Sequence, residues 1–91
     1  MRRARPRWVM GLRSRLEEAF SSGAVEGTLL GRAELRGTDM VEVVDIAFVP
    51  GKLEGPSFEV SGGMVEFKFP VRDGEGVEDV YYRLMGKLSW V

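Results

Sequence analysis

The chain contains no cysteine, histidine, asparagine or glutamine. Without cysteine there is no disulfide framework and no thiolate nucleophile. Without cysteine or histidine, zinc and haem lose nearly all their usual ligands, so neither metal nor cofactor is expected. A Ser-His-Asp or Cys-His system cannot be assembled. Only carboxylates, arginines, hydroxyls and backbone remain for acid–base work, and the chain is expected not to be an enzyme. The longest uncharged apolar run falls far short of the roughly 18 residues of a membrane span. Arg13, Arg15, Glu17 and Glu18 stand where a signal peptide would be apolar, so a cytoplasmic location is expected. The missing thermolabile residues, beside many Arg and Glu, are the composition of a thermophile.

What is present is an ordinary folding composition, with 44% hydrophobic and 30% charged residues in 91. A chain this short builds one small core, which oligomerisation often completes. Charge is unevenly spread. Residues 1–16 hold six arginines and no acid, whereas the remainder carries all fourteen acidic residues against seven basic ones. Two parts are expected, a basic arm with an N-terminal helix over 1–23 and a single α/β domain over 24–91.

Val9, Leu12, Leu16, Ala19 and Phe20 recur at helical spacing, and Gly23 suits a left-handed cap, which predicts a helix over 9–21. Met10 is a second candidate start. Residues 25–35 alternate with period two and read as a half-buried strand. Residues 38–49 are ambiguous. Val41, Val43, Val44, Ile46 and Phe48 favour a strand by propensity. In a regular strand, though, Glu42 and Asp45 would face opposite sides, whereas a helix gathers Thr38, Glu42, Asp45 and Val49 in one wedge. Two strands follow around a Gly62-Gly63 turn that pairs Val60 with Val65 and Phe58 with Phe67. Residues 77–91 read as a helix, with Glu78 and Asp79 at its positive end and Lys87 near its negative end.

Three groups are candidate sites. Arg2, Arg3, Arg5, Arg7, Arg13 and Arg15 around Trp8 form a candidate nucleic-acid contact, arginines on phosphates and Trp8 on a base. The competing readings are a solvated arm with Trp8 packed on the body, or an arm docked on an acidic surface. Val80, Tyr82, Leu84, Met85, Leu88 and Trp90 give the last helix more apolar faces than a small monomer needs, and form a candidate partner surface. Tyr81 is expected in the core and Tyr82 at the interface. Glu75, Glu78 and Asp79 are read as dipole-complementing acids rather than a magnesium site.

The order and spacing of these elements, with Ala47-Phe48, Ser57-Phe58-Glu59-Val60, Met64-Val65-Glu66-Phe67-Lys68-Phe69, Asp73 and the closing Leu88-Ser89-Trp90-Val91, resemble the small dimerising subunit of the KEOPS complex. KEOPS makes threonylcarbamoyladenosine in tRNA. The resemblance spans about residues 25–91. It departs from the family pattern at the last helix, where Val80-Tyr81 replaces Leu-Arg and Met85-Gly86-Lys87-Leu88-Ser89-Trp90 replaces an Asn-containing tail, which bears on any tRNA contact. It implies a helix over 38–49. The fold expected is therefore α+β, a two-layer domain with a small antiparallel sheet (β-α-β-β-α), helices on one face, and a basic helical extension. The function implied is that of a non-catalytic, dimerising accessory subunit, with a homodimer, a transferase subunit and tRNA as partners. The alternatives are a stand-alone nucleic-acid-binding protein using the arginine arm, and a structural homodimer without further partner.

Overall fold

The computed structural model describes residues 7–36 and 40–90. They form an α+β domain of six elements. These are α1 (Arg7–Ser21), β1 (Glu26–Arg36), β2 (Met40–Pro50), β3 (Ser57–Ser61), β4 (Met64–Arg72) and α2 (Val77–Leu88). The four strands make one antiparallel sheet in the order β2-β1-β4-β3. Two hairpins thus lie side by side, with β1 and β4 central.

Both helices cover the same face of the sheet. Val65, Phe67, Phe69 and Val71 alternate along β4 and are buried, joined by Leu29 and Ala33 of β1 and by Val43 and Ile46 of β2. Leu12 and Leu16 of α1 and Val80, Leu84 and Leu88 of α2 close this core from above. α1 starts at Arg7, two residues earlier than its apolar periodicity indicates, and buries Val9 as well. It ends as predicted. The Gly23 N–H reaches the Phe20 carbonyl (3.2 Å) and the Ala24 N–H reaches that of Ala19 (3.1 Å), with Gly23 at φ 103°.

The β3–β4 hairpin has the predicted register, Val60 opposite Val65 and Phe58 opposite Phe67, around Gly62 and Gly63 at positive φ. Gly31 of β1 meets a different demand. A Cβ there would lie 2.4 Å from the Phe67 ring, which occupies the space a side chain would take.

Residues 40–49 are not a helix. Met40–Pro50 is the strand β2, and Gly37, Thr38 and Asp39 lie outside the described residues. The element order is therefore α-β-β-β-β-α, and the helix implied over 38–49 is corrected. A β-bulge accounts for the charges that argued against a strand. Asp45 pairs with Arg32, but the next β1 residue, Ala33, pairs with Val43, which leaves Val44 without a cross-strand partner. The extra residue reverses the alternation. Val41 and Val43 face inward before the bulge, and Ile46 and Phe48 after it. Asp45 and Glu42 consequently share the outer face. Each meets an arginine of β1 there, Arg32 at 3.7 Å and Arg36 at 3.0 Å.

Because β2 and β3 sit at opposite edges, residues 51–56 cross the end of the sheet. Thr28, only 2% exposed, holds this crossing. Its hydroxyl donates to the Lys52 carbonyl and accepts the Glu54 N–H (2.9 Å). That satisfies both roles of a buried hydroxyl and sets Pro56 beside the start of β3.

Candidate interaction surface

β3 is short. It covers β4 only from Met64 to Lys68, so β4 has a neighbour on one side alone from Phe69 onward. Pro70 falls in that stretch, where a missing N–H has no second strand to disappoint. α2 runs beside this bare edge. Between them lies a groove of about 390 Å³ walled by Pro56, Phe69, Pro70, Tyr82 and Trp90, with Gly86 on its helical side. Arg83 is fixed at its rim. The guanidinium sits 5.0 Å over the Phe69 ring and donates to both Glu75 carboxylate oxygens (2.9 and 3.0 Å). The Glu75 carboxylate also accepts the Arg72 N–H (3.2 Å), so the last helix and β4 share one clasp.

The groove divides the residues that sequence groups together on the last helix. Val80, Leu84 and Leu88 are at most 1% exposed and belong to the core. Their assignment as partner contacts is corrected, since the sheet already consumes them. Met85 is half-buried against the core. Tyr82 (64% exposed) and Trp90 (90%) face outward. Sequence reasoning missed the walls Pro56, Phe69 and Pro70, which come from a loop and a strand far away in the chain. It also missed Gly86, one turn after Tyr82 on the same side of α2.

The arginines are not assembled in this way. Arg2, Arg3 and Arg5 lie outside the described residues. Arg7, Arg13 and Arg15 are exposed on α1. At about 100° per residue they point in three separate directions, with Glu17 and Glu18 between them, and make no basic stripe. Trp8 is half-buried and packs on Tyr81 of α2 (ring centroids 5.4 Å), which in turn meets Tyr82 (5.2 Å). The Trp8 ring is thus engaged by the body of the protein. Tyr81, expected in the core, is only half-buried, and Tyr82 is exposed.

On the outer face of the sheet several cations pair with carboxylates, although Glu59 stands opposite Glu66 and Glu34 opposite Glu42. Lys68 and Lys52 approach Glu54 at 3.5 and 3.1 Å. The hydrogen bond from Lys52, followed by the charge of Lys68, holds the Glu54 carboxyl below its ordinary range. The hydrogen bond to Glu34, followed by the charge of Glu42, raises the Arg36 guanidinium. These groups are exposed, and such pairs contribute little to stability. Among the described residues, no group of three or more acids is placed to hold a metal ion, and no buried side-chain nitrogen or oxygen lacks a partner. No described helix is long and apolar enough to cross a membrane.

No protein-family model, curated protein or solved structure matches this chain.

Proposed function

We propose that the chain is a non-catalytic interaction subunit whose α2 edge docks a protein partner. The observation that carries this reading is the pair of outward aromatics, Tyr82 and Trp90, flanking an apolar groove beside an uncovered strand. Tyr and Trp are the residue types that anchor protein interfaces, and grooves that desolvate them supply most of the binding energy. The outer-face ion pairs Arg32–Asp45, Arg36–Glu42 and Lys68–Glu54 are solvent-exposed and lend this face little binding energy of their own.

A narrower form of this reading is an accessory subunit of a KEOPS-like tRNA-modification complex. It draws on the Phe58–Phe67 hairpin and the closing helix, and the strand at 40–50 removes one of its supports. Size-exclusion chromatography with light scattering tests both forms. The full chain, mixed with the KEOPS transferase subunit of the same source, is expected to co-elute at low and high salt, and Trp90→Ala to abolish co-elution. A wild-type chain that ignores the transferase defeats the narrower form. The broader one fails if no partner, including a second copy, depends on Tyr82 or Trp90.

A further inference from the structure

The stretch of β4 beyond Lys68 has no strand on its outer side, yet its backbone is closed to a further strand. The Asp73 N–H donates to the Val25 carbonyl (2.8 Å), so Phe69 and Val71, in step with it, turn their backbone groups toward β1. Lys68, Pro70 and Arg72 turn theirs the other way. The Lys68 carbonyl accordingly lies against Gly55, where a Cβ would come within 2.3 Å of it. Pro70 has no N–H. The Glu75 carboxylate accepts the Arg72 N–H (3.2 Å), and the Glu75 N–H donates to the Arg72 carbonyl (3.2 Å). Only the Pro70 carbonyl is left, so an added strand finds no backbone donor past Lys68. The groove beside this edge offers donors from side chains instead. Among the described residues, the Tyr82 hydroxyl and the Trp90 indole N–H have no hydrogen-bond partner, and Lys87 has no carboxylate partner. Gly86 leaves the helical wall bare, since a Cβ there meets nothing within 4 Å. That bareness is kept although glycine is a poor helix former.

We infer that the groove takes a proline-rich segment of a partner protein in the polyproline II conformation, with an acidic residue beside it for Lys87. This inference rests on the interaction reading above and names the chemistry of the partner. A polyproline II segment has no internal hydrogen bonds, so its carbonyls are free to accept from Tyr82 and Trp90. Its prolines have no N–H and ask for no acceptor in return. A strand would need the backbone donors that this part of β4 lacks, and a helix has committed its carbonyls to its own ladder. The walls match as well. Phe69, Tyr82 and Trp90 present the ring faces on which prolines pack in aromatic-lined grooves. The charge at the rim is positive, because Glu75 already engages Arg83 whereas Lys87 is left unpaired. A carboxylate next to the prolines completes that pair. The preset backbone of such a segment lowers the ordering cost of binding, which suits a groove of about 390 Å³.

Synthetic peptides of about ten residues test this, each ending in a pair of glutamates: a polyproline core, an alternating Thr-Val strand former and an amphipathic helix former. Each is titrated into the full chain and followed in proton–nitrogen correlation spectra. The chain has two tryptophans, and Trp8→Phe identifies the Trp90 indole cross-peak. The proline peptide is expected to bind with a Kd of roughly 10 µM to 1 mM and to move that cross-peak. Trp90→Ala is expected to weaken binding about tenfold, and Gly86→Leu to block it by filling the groove. Both positions are exposed, and Gly86→Leu improves helix propensity, so circular dichroism should show each variant folded. Lys87→Glu is expected to reverse the preference toward a proline peptide ending in lysines. A proline peptide that does not saturate by about 1 mM overturns the inference. So does one whose binding ignores Trp90→Ala or Lys87→Glu. A strand or helix peptide that binds through Trp90 more tightly than the proline peptide also overturns it, while leaving the interaction-subunit reading standing.

Discussion

Opposite sides of α2 carry apolar residues in opposite circumstances. Val80, Leu84 and Leu88 meet the sheet and are closed off from water, whereas Tyr82 and Gly86, with Trp90 just past the helix end, meet solvent and a groove. The two glycines repeat the contrast, since a Phe67 ring fills the space at Gly31 and nothing fills it at Gly86. One stripe is spent on folding and the other is left over. Apolar character along a helix therefore does not distinguish core from interface. Only the location of the sheet does.

The comparison can be broken most severely from its buried side. Leu84→Asp would strand an unpaired charge in the core, a loss of about 3–5 kcal/mol. That approaches the whole stability of a small domain. The expected result is loss of the cooperative thermal transition by circular dichroism, and a normal melt would show the inner stripe to be misassigned. Deleting residues 1–9 should be the next largest change. It removes buried Val9 and the Trp8–Tyr81 contact, at a cost of about 2–4 kcal/mol. A fall in Tm of 10 °C or more is expected, since 1 kcal/mol moves Tm by about 4–8 °C in domains this size.

The glycines sharpen the contrast by sign. Gly31→Ala drives a methyl into the Phe67 ring and should destabilise by about 1–3 kcal/mol. Gly86→Ala meets open space and should stabilise the monomer by up to about 1 kcal/mol. Parallel urea titrations at low protein concentration would read both. If the two shift in the same direction, Gly86 is structural rather than an opening for a partner.

The smallest effect belongs to the outer face. Because Glu54 is held below the ordinary carboxylate range, the stability it adds is present above that range and is lost as pH falls through its lowered value. A Glu54→Gln variant should therefore melt slightly below wild type at neutral pH, and the gap should close on acidification.

The elements with one dominant signal were legible in sequence. The β3–β4 hairpin declares its turn and its alternation together, and α1 declares its stripe and its cap. β2 was not legible, because a two-residue period cannot be read across a bulge. Val43 and Val44 sit where the alternation reverses, so Glu42 and Asp45 mimic a helical wedge while sharing one face of a strand. The bulge is visible only against the β1 register, which is a non-local fact. Half of the candidate surface was legible for a related reason. Tyr82 and Trp90 belong to a local stripe, but Pro56, Phe69 and Pro70 join them only because the 51–56 crossing and the short β3 bring them to one edge.

The Val44 bulge also has a consequence for what the sheet refuses. β2 is an edge strand of eleven residues, long enough to template the addition of a foreign strand. The irregularity divides that edge into two short runs. Asp45 on one side and Glu42 on the other guard them with charge. The opposite edge, β3, is only five residues long. Strand-by-strand growth, the route to fibres, is obstructed at both edges of the sheet.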